Sequence, residues 1–195
     1  MEITAFEATL DEDSAVERTR NLSAVEYARR WVGDLLGRRA RASPDVRVVY
    51  YPDYIAYTSA SIRRLIRDEK SLKFLAGIDA VTGRAGEVDV SLPSRRTIDV
   101  DRAFVIHPQV DAAEAEAIWR EWLFSYVGRY HRAVEMPEYS LDDLELVYTP
   151  YWVIDYGSAE ESLAVSDLTR RTATVEEIEV LEEFYERFMR DDARA

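Results

Sequence analysis

The stretch Val48-Val49-Tyr50-Tyr51-Pro52-Asp53-Tyr54-Ile55-Ala56-Tyr57 carries the pattern that decides the fold. A similar run, Leu146-Val147-Tyr148-Thr149-Pro150-Tyr151-Trp152-Val153-Ile154-Asp155-Tyr156, follows in the second half of the chain. Each copy is hydrophobic, contains one proline and is rich in tyrosine, and the two copies share the same phase of alternation. Alternation with a period of two predicts a β-strand in each copy. The repetition predicts two related halves.

Amphipathic segments with capping sequences predict three helices. Ser23-Ala24-Val25-Glu26 has the form of a capping box and predicts a helix over about residues 24–41. Asp111-Ala112-Ala113-Glu114 begins a second helix, which extends to about Arg132 and has the heaviest apolar stripe. Thr174-Val175-Glu176-Glu177 caps a final helix that leads to a polar C-terminal tail.

Further strands and turns are predicted between these helices. Ile3–Leu10 is a candidate strand, Leu72–Val81 predicts a strand that turns through 82–86 into a hairpin, and Ile98–Ile106 predicts another. Residues 60–70 fit either a short helix or a continuing strand, and their spacing favours a helical turn. Pro52 has no N–H for a ladder, which indicates an edge strand or a bulge. Arg170 stands where the first half has Gly83, which predicts a truncated or different turn in the second half.

The fold class predicted from these elements is α+β, with two helix-plus-antiparallel-meander halves and a C-terminal helix. We expect an N-terminal arm over 1–22, a first half over 23–92, a second half over 98–174, and the final helix and tail over 175–195. Residues 91–97 are the candidate linker, although the halves can also form one domain.

A helix followed by antiparallel strands, with Ile78-Asp79-Ala80-Val81-Thr82-Gly83 at the hairpin, resembles PepSY-type and cystatin-like α+β modules. The resemblance covers residues 24–90 and implies a curved antiparallel sheet wrapped against one helix. It brings no catalytic residues with it.

The charge balance is strongly acidic. Asp plus Glu number 38 against 25 Lys plus Arg, only Lys70 and Lys73 are lysines, and the net charge is −13. This composition resembles that of haloarchaeal and other salt-adapted proteins. Such an acidic surface is tolerated at molar salt, because the Debye length falls to about 3 Å and the repulsion between its charges is screened. A GC-rich genome is the alternative explanation for the arginine bias. Nucleic acid is excluded as the main partner, since phosphate binding requires a basic face.

Several classes of chemistry are absent from the sequence. The chain has no cysteine, and its two histidines, His107 and His131, are too far apart for a helical zinc motif, so we expect no metal. No motif for a nucleotide cofactor or a hydrolase nucleophile occurs, so we expect no cofactor and no catalytic residues. No apolar run is long enough for a transmembrane helix and no signal peptide is present, so we expect a cytoplasmic protein.

The tyrosines are the leading candidates for function. The first hypothesis is a non-enzymatic module that binds a protein partner, or itself as a homodimer, through a tyrosine-rich sheet. Its candidate residues are Tyr51, Tyr54, Tyr57, Tyr151, Trp152 and Tyr156. Packing of the same side chains within the sheet is the structural alternative. The second hypothesis is a small-ligand-binding protein or enzyme with a pocket between the sheet and the long helix, using Asp101 and His107. A membrane-adjacent accessory role is a third, which rests on the PepSY resemblance.

Overall fold

The protein is a mixed α+β structure with a mostly antiparallel sheet, seen in a computed structural model that describes residues 1–20, 44–62, 70–131 and 138–192. The strands are β1 Glu2–Phe6, β2 Asp45–Ile62, β3 Lys70–Asp79, β4 Ala85–Glu87, β5 Arg95–Asp99, β6 Glu138–Asp155, β7 Leu163–Ser166 and β8 Thr172–Thr174. The α-helices among the described residues are α1 Glu12–Arg20, α2 Ala112–His131 and α3 Glu179–Asp192. Short 3-10 helices span Arg102–Phe104 and Val175–Glu177.

The chain divides into two compact units. Unit 1 comprises Met1–Phe6 and Tyr51–Tyr148, and unit 2 comprises Glu7–Tyr50 and Thr149–Ala195. The boundaries therefore fall inside the long strands β2 and β6, and not at the candidate linker 91–97. Part of that linker, from Arg95, belongs to β5.

In unit 1 the strand order is β4-β3-β2-β6-β1-β5. The pairs are antiparallel where their register is resolved, except that β1 runs parallel to β6 with Ala5 opposite Tyr148. Helix α2 packs on β2 and β3, and the core between them contains Ala56, Ala76, Ile78, Trp119, Leu123 and Val127. The indole Nε1 of Trp119 donates to Thr58 Oγ1 at 2.9 Å, so this helix is attached to the sheet by a buried hydrogen bond as well as by apolar contact.

In unit 2 the end of β6 pairs with β7, and β7 pairs with β8. Two buried aspartates organise the surrounding chain. Asp155 Oδ1 accepts from Gly157 N at 2.6 Å, Ser162 Oγ at 3.3 Å and Tyr185 OH at 2.7 Å. Asp167 accepts from the backbone N–H groups of Thr9 and Leu10 at 2.8 and 2.7 Å. Asp155 thus binds α3 to the sheet, and Asp167 fixes the segment before α1.

The capping residues explain where the helices begin. Asp111 Oδ1 accepts from Glu114 N at 2.9 Å at the start of α2, which confirms the predicted cap. Thr174 N donates to Glu177 Oε2 at 3.2 Å, and the predicted final helix begins there with a 3-10 turn before α3. Asp11 caps α1 in the same way, through Ser14 N at 2.8 Å. No sequence pattern predicted this N-terminal helix, and the helix predicted over residues 24–41 lies outside the described residues.

The hairpins that follow the two tyrosine-rich strands have matching registers. In unit 1, Tyr54 pairs with Ile78, and Ile78 pairs with Ala85. In unit 2, Trp152 pairs with Val165, and Val165 pairs with Thr172. Beyond the hairpins, Val88 N donates to Leu75 O and Val175 N donates to Ser162 O, both at 3.0 Å.

The two turns also share their hydrogen bonds. Gly83 N donates to Asp79 O at 2.9 Å, and Arg170 N donates to Ser166 O at 3.0 Å. Gly83 has a φ of 70° and Arg170 a φ of 60°, so an arginine adopts the left-handed conformation that glycine adopts in the first turn. The prediction of a different turn is therefore wrong. The second hairpin is shorter because the β6–β7 ladder before its turn has four residue pairs, whereas the β2–β3 ladder has ten.

Replacement of Gly83 by alanine is expected to lower the free energy of unfolding by about 1–2 kcal/mol, because a side chain costs energy at positive φ. The new Cβ would also lie 3.3 Å from Ile118 Cδ1. Denaturation in urea measures the loss. Gly86→Ala is the control, since no atom lies within 4 Å of a Cβ at that position. Equal losses in both variants would contradict the explanation.

Three strand predictions need correction. β2 lies between β3 and β6, so the edge-strand alternative at Pro52 is wrong, and the bulge alternative stays a prediction. Pro52 is tolerated because the β2–β3 ladder begins at Asp53, while the Pro52 carbonyl accepts from Ala80 N at 3.2 Å. Residues 60–62 continue β2 and form no helical turn, and 63–69 lie outside the described residues. The strand predicted over Ile98–Ile106 ends at Asp99, because Asp101 caps a 3-10 helix.

Candidate functional site

Two of the predicted surface tyrosines are buried in unit 1. Tyr51 is 5% exposed and Tyr54 is 6% exposed. The Tyr51 hydroxyl donates to Asp79 Oδ1 at 3.0 Å, and the Tyr54 hydroxyl donates to the Val110 carbonyl at 3.3 Å. Burial raises the pKa of Tyr54 above its ordinary value. These two side chains stabilise the fold, and their assignment to an exposed surface was wrong.

The other four predicted residues are half-buried. In unit 1, the guanidinium of Arg95 lies 5.7 Å above the ring centroid of Tyr57. In unit 2, the hydroxyls of Tyr156 and Thr19 are 2.8 Å apart and share a hydrogen bond. Tyr151 and Trp152 lie on β6 opposite Ser166 and Val165.

The predicted pocket between the sheet and the long helix is filled. Trp119, Leu123 and Val127 of α2 are almost fully buried against β2 and β3. Asp101 Oδ1 accepts from Ala103 N at 3.0 Å, and His107 Nε2 accepts from Arg102 Nε at 3.3 Å. Both residues therefore have local structural roles, and neither lines the two cavities described in unit 1.

Four aromatic side chains form a continuous surface feature on unit 1, which we call the aromatic ridge: Phe74 of β3 and Trp122, Tyr126 and Tyr130 of α2. The ring centroids of Trp122 and Tyr126 are 4.8 Å apart and stacked. Tyr126 is 5.1 Å from Tyr130 and 5.4 Å from Phe74. The spacing of four residues along α2 places the three helical rings on one face.

The ridge is accessible to solvent along its length. Tyr130 is 63% exposed, and the other three rings are half-buried. The sequence predicts Trp122 and Tyr126 as members of the apolar stripe of the helix. Trp122 is three residues from Trp119 and Tyr126 is three residues from Leu123, which is the same spacing that residues of a buried helix face have. Only the packing of α2 on the sheet distinguishes the buried side chains of the stripe, Trp119 and Leu123, from the half-buried Trp122 and Tyr126.

Glu87 of β4 provides a carboxylate beside the ridge. The Tyr126 hydroxyl donates to Glu87 Oε1 at 2.7 Å. Burial, together with this hydrogen bond and the negative charge of Glu87, raises the pKa of Tyr126 to about 12.

The raised pKa of Tyr126 predicts a specific alkaline titration. Because the folded-state pKa lies above the unfolded value, the stability contributed by the neutral hydroxyl is complete below pH 10 and is lost as the pH rises toward about 12. An absorbance titration of tyrosinate should lose a late-titrating group in Tyr126→Phe. Loss of a group that titrates near the ordinary tyrosine value would contradict this assignment.

A second feature of unit 1 is an open cavity of about 470 Å³, which we call the charged cleft. It is lined by Tyr57, Thr58, Lys73, Phe74, Leu75, Arg95, Asp142, Asp143 and Glu145. Arg95 forms an ion pair with Glu145. Asp142 accepts hydrogen bonds from Ser59 Oγ at 2.5 Å and Ser140 Oγ at 2.8 Å, which, with the nearby charge of Lys73, lower the pKa of its carboxyl.

Within the described parts of the chain, no three histidine or acidic side chains are grouped closely enough to hold a metal ion. The helices in those parts also lack the combination of length and apolar character that a bilayer-spanning helix requires. Comparisons with protein-family models, with curated protein sequences and with solved structures find no match to this chain.

Proposed function

We propose that this protein is a non-enzymatic interaction module that binds a cationic segment of a partner protein on the aromatic ridge. The observation that carries the proposal is the row of four contacting rings, of which Tyr130 is exposed and three are half-buried. Large aromatic side chains are enriched at protein interfaces, where they supply rigid contact area at little entropic cost.

The position of the ridge favours a binding role over a packing role. The fully buried part of the core beneath α2 is formed by Trp119, Leu123 and Val127. Phe74, Trp122 and Tyr126 pack against the margin of this core and keep part of their surface accessible. A helix face needed only for packing would place Tyr130 against the sheet. Contiguous apolar surface that remains accessible is typical of interaction sites.

Charge selects the kind of partner. The exposed faces of Trp122 and Tyr130 attract arginine and lysine side chains by cation–π interaction. The carboxylate of Glu87 adjoins the ridge and attracts a cation at short range. At low ionic strength the net charge of −13 also accelerates encounter with a cation and repels a second copy. We therefore commit to a basic segment of another protein, and the homodimer expected from the sequence becomes an outcome of the test.

We also propose an origin for the module by internal repetition and a cellular environment with a high salt concentration. The matched registers and turn hydrogen bonds support an internal repeat. The proposed cystatin-like or PepSY-like character of its halves rests on the sequence resemblance over residues 24–90. The acidic, lysine-poor composition supports the proposal that the protein functions in a cytoplasm with a high salt concentration.

A hexa-arginine peptide and a neutral Gly-Ser peptide of equal length test the proposal by tryptophan fluorescence and calorimetry. The arginine peptide should bind the wild-type protein, and Trp122→Ser with Tyr130→Ser should weaken binding by about tenfold at unchanged net charge. Phe124→Ser is the control, since Phe124 is exposed on the same helix outside the ridge. Unchanged affinity in the double variant would contradict the proposal.

Self-association is measured on the same samples by light scattering after size exclusion, in molar KCl and at low salt. The proposal predicts a monomer without peptide at both salt concentrations. A discrete dimer that Trp122→Ser and Tyr130→Ser dissociate would replace the basic partner by a second copy.

A further inference from the structure

We propose that the charged cleft binds a small zwitterion of the α-amino-acid type with an apolar side chain. The cleft holds cationic donors, carboxylates and apolar walls within one cavity of about 470 Å³. This volume falls within the range of ordinary small-ligand sites, which is roughly 300–1,000 Å³. This site does not rest on the proposed function, because its charged groups, Lys73, Arg95 and Asp142, lie outside the aromatic ridge, although Phe74 belongs to both features.

Lys73 supplies the first anchor for the ligand. It is one of only two lysines in a chain with 25 basic residues, and its side chain is exposed at the cleft. Its charge acts on the carboxyl of Asp142, with which it forms no ion pair among the described residues, so its three donors are available to a ligand carboxylate. An ammonium on a flexible stem suits a single carboxylate of a small molecule.

Arg95 supplies a second donor that is already oriented. Its guanidinium is paired with Glu145 and lies over the ring of Tyr57. The ion pair uses only part of the five N–H donors of an arginine. A side chain that is fixed in this way loses little entropy when it binds a ligand carboxylate.

The acidic side of the cleft selects a ligand that also carries a positive charge. Asp142 is held by Ser59 and Ser140, and Asp143 accepts from the N–H of Leu144 at 2.9 Å. A simple anion would be repelled by these carboxylates and by Glu145. Lys73 lies near enough to Asp142 for its charge to lower the pKa of that carboxyl, so a cation and an anion are neighbours in the cleft. An α-amino acid carries its ammonium and its carboxylate on one carbon, so an ammonium beside Asp142 and Asp143 offsets their repulsion of the ligand carboxylate at Lys73.

The apolar portion of the cleft accommodates the ligand side chain. Leu75 pairs with Tyr57 across β2 and β3, so the two side chains lie on the same face of the sheet. Phe74 also lines the cavity. A ligand with a branched aliphatic side chain of the size of leucine can pack it against Tyr57, Phe74 and Leu75.

Calorimetric titration of the whole protein with L-leucine tests the inference, with 4-methylpentanoate and 3-methylbutylamine as analogues that lack the ammonium or the carboxylate. L-leucine should bind at least about tenfold more tightly than either analogue, since each analogue lacks one of the two charged groups that pair with Lys73 and Asp142. Lys73→Met and Asp142→Asn should each weaken L-leucine binding by about tenfold. Arg84→Met, which removes one positive charge outside the cleft, should leave binding unchanged.

Circular dichroism shows whether each variant is folded, and Asp142→Asn serves as the second test if Lys73→Met fails to fold. Absence of heat with L-leucine in the wild-type protein would overturn the inference. Equal binding of 3-methylbutylamine and L-leucine would also overturn it, because general attraction to an acidic surface would then suffice. If Lys73→Met loses L-leucine binding but still binds the hexa-arginine peptide, the cleft and the ridge are separate binding sites.

Discussion

Replacement of Asp155 by alanine is expected to lower the free energy of unfolding by about 3–5 kcal/mol, because three hydrogen-bond donors lose their common acceptor. Asp155 is 2% exposed, and its Oδ1 accepts three hydrogen bonds in unit 2. Alanine would leave the Tyr185 hydroxyl, the Ser162 hydroxyl and the Gly157 N–H without this acceptor. Each buried donor that loses its partner costs about 1–3 kcal/mol.

Urea denaturation followed by circular dichroism measures this loss. Asp89→Ala is the matched control, because Asp89 is exposed and its change should alter stability by less than about 0.5 kcal/mol. Tyr185→Phe should give an intermediate loss, since it removes one hydrogen bond and leaves the carboxylate in place. If Asp155→Ala were as stable as Asp89→Ala, the central role of the Asp155 network in unit 2 would be refuted.

Replacement of Trp119 by alanine should have a similarly large effect in unit 1, a loss of about 3–5 kcal/mol. Trp119 is the largest fully buried side chain of the chain's described residues and is 2% exposed. Its removal creates a cavity under α2 and also leaves Thr58 Oγ1 without the indole donor. The expected loss therefore combines lost apolar contact, an unfilled cavity and a broken buried hydrogen bond.

Thermal and chemical denaturation again provide the measurement. Phe124→Ala is the control on the same helix, because Phe124 is 39% exposed and should cost far less than Trp119. Trp119→Phe should lie between the two, since it keeps part of the ring volume but not the N–H donor. A loss in Trp119→Ala no greater than that in Phe124→Ala would mean that α2 is not held by this side chain.

Features that depend on neighbouring residues were predictable from the sequence. The starts of α2 and of the final helix follow from Asp111 and Thr174, because a cap involves only residues within one turn. The hairpin at Gly83 follows from glycine at a tight reversal between two strands. Asp11 carries the same local signal for α1, but the short apolar pattern after it was too weak to identify that helix.

Features that depend on distant packing were not predictable. The burial of Tyr51 and Tyr54 depends on contacts with Asp79 and Val110, which are far away in the sequence. Alternation gave both faces of the first tyrosine-rich strand some apolar character, and it did not say which segment covers each face. The aromatic ridge was missed for the same reason, because Trp122 and Tyr126 share helical spacing with core residues.

The two long strands explain why the unit boundaries differ from the predicted halves. β2 and β6 each contain 18 residues, and each contributes to both compact units. Sequence similarity groups each tyrosine-rich strand with the hairpin that follows it. Unit 1 also contains α2, which follows the first hairpin in the chain and precedes β6.

The most direct test of the interaction proposal is one variant, Tyr130→Ser, measured for both stability and binding of the hexa-arginine peptide. Tyr130 is 63% exposed, so an interface residue at this position should contribute to binding and little to folding. We predict that the free energy of unfolding changes by less than about 0.5 kcal/mol while affinity falls by about fivefold. A clear loss of stability with unchanged affinity would instead identify the aromatic ridge as packing and contradict the proposed function.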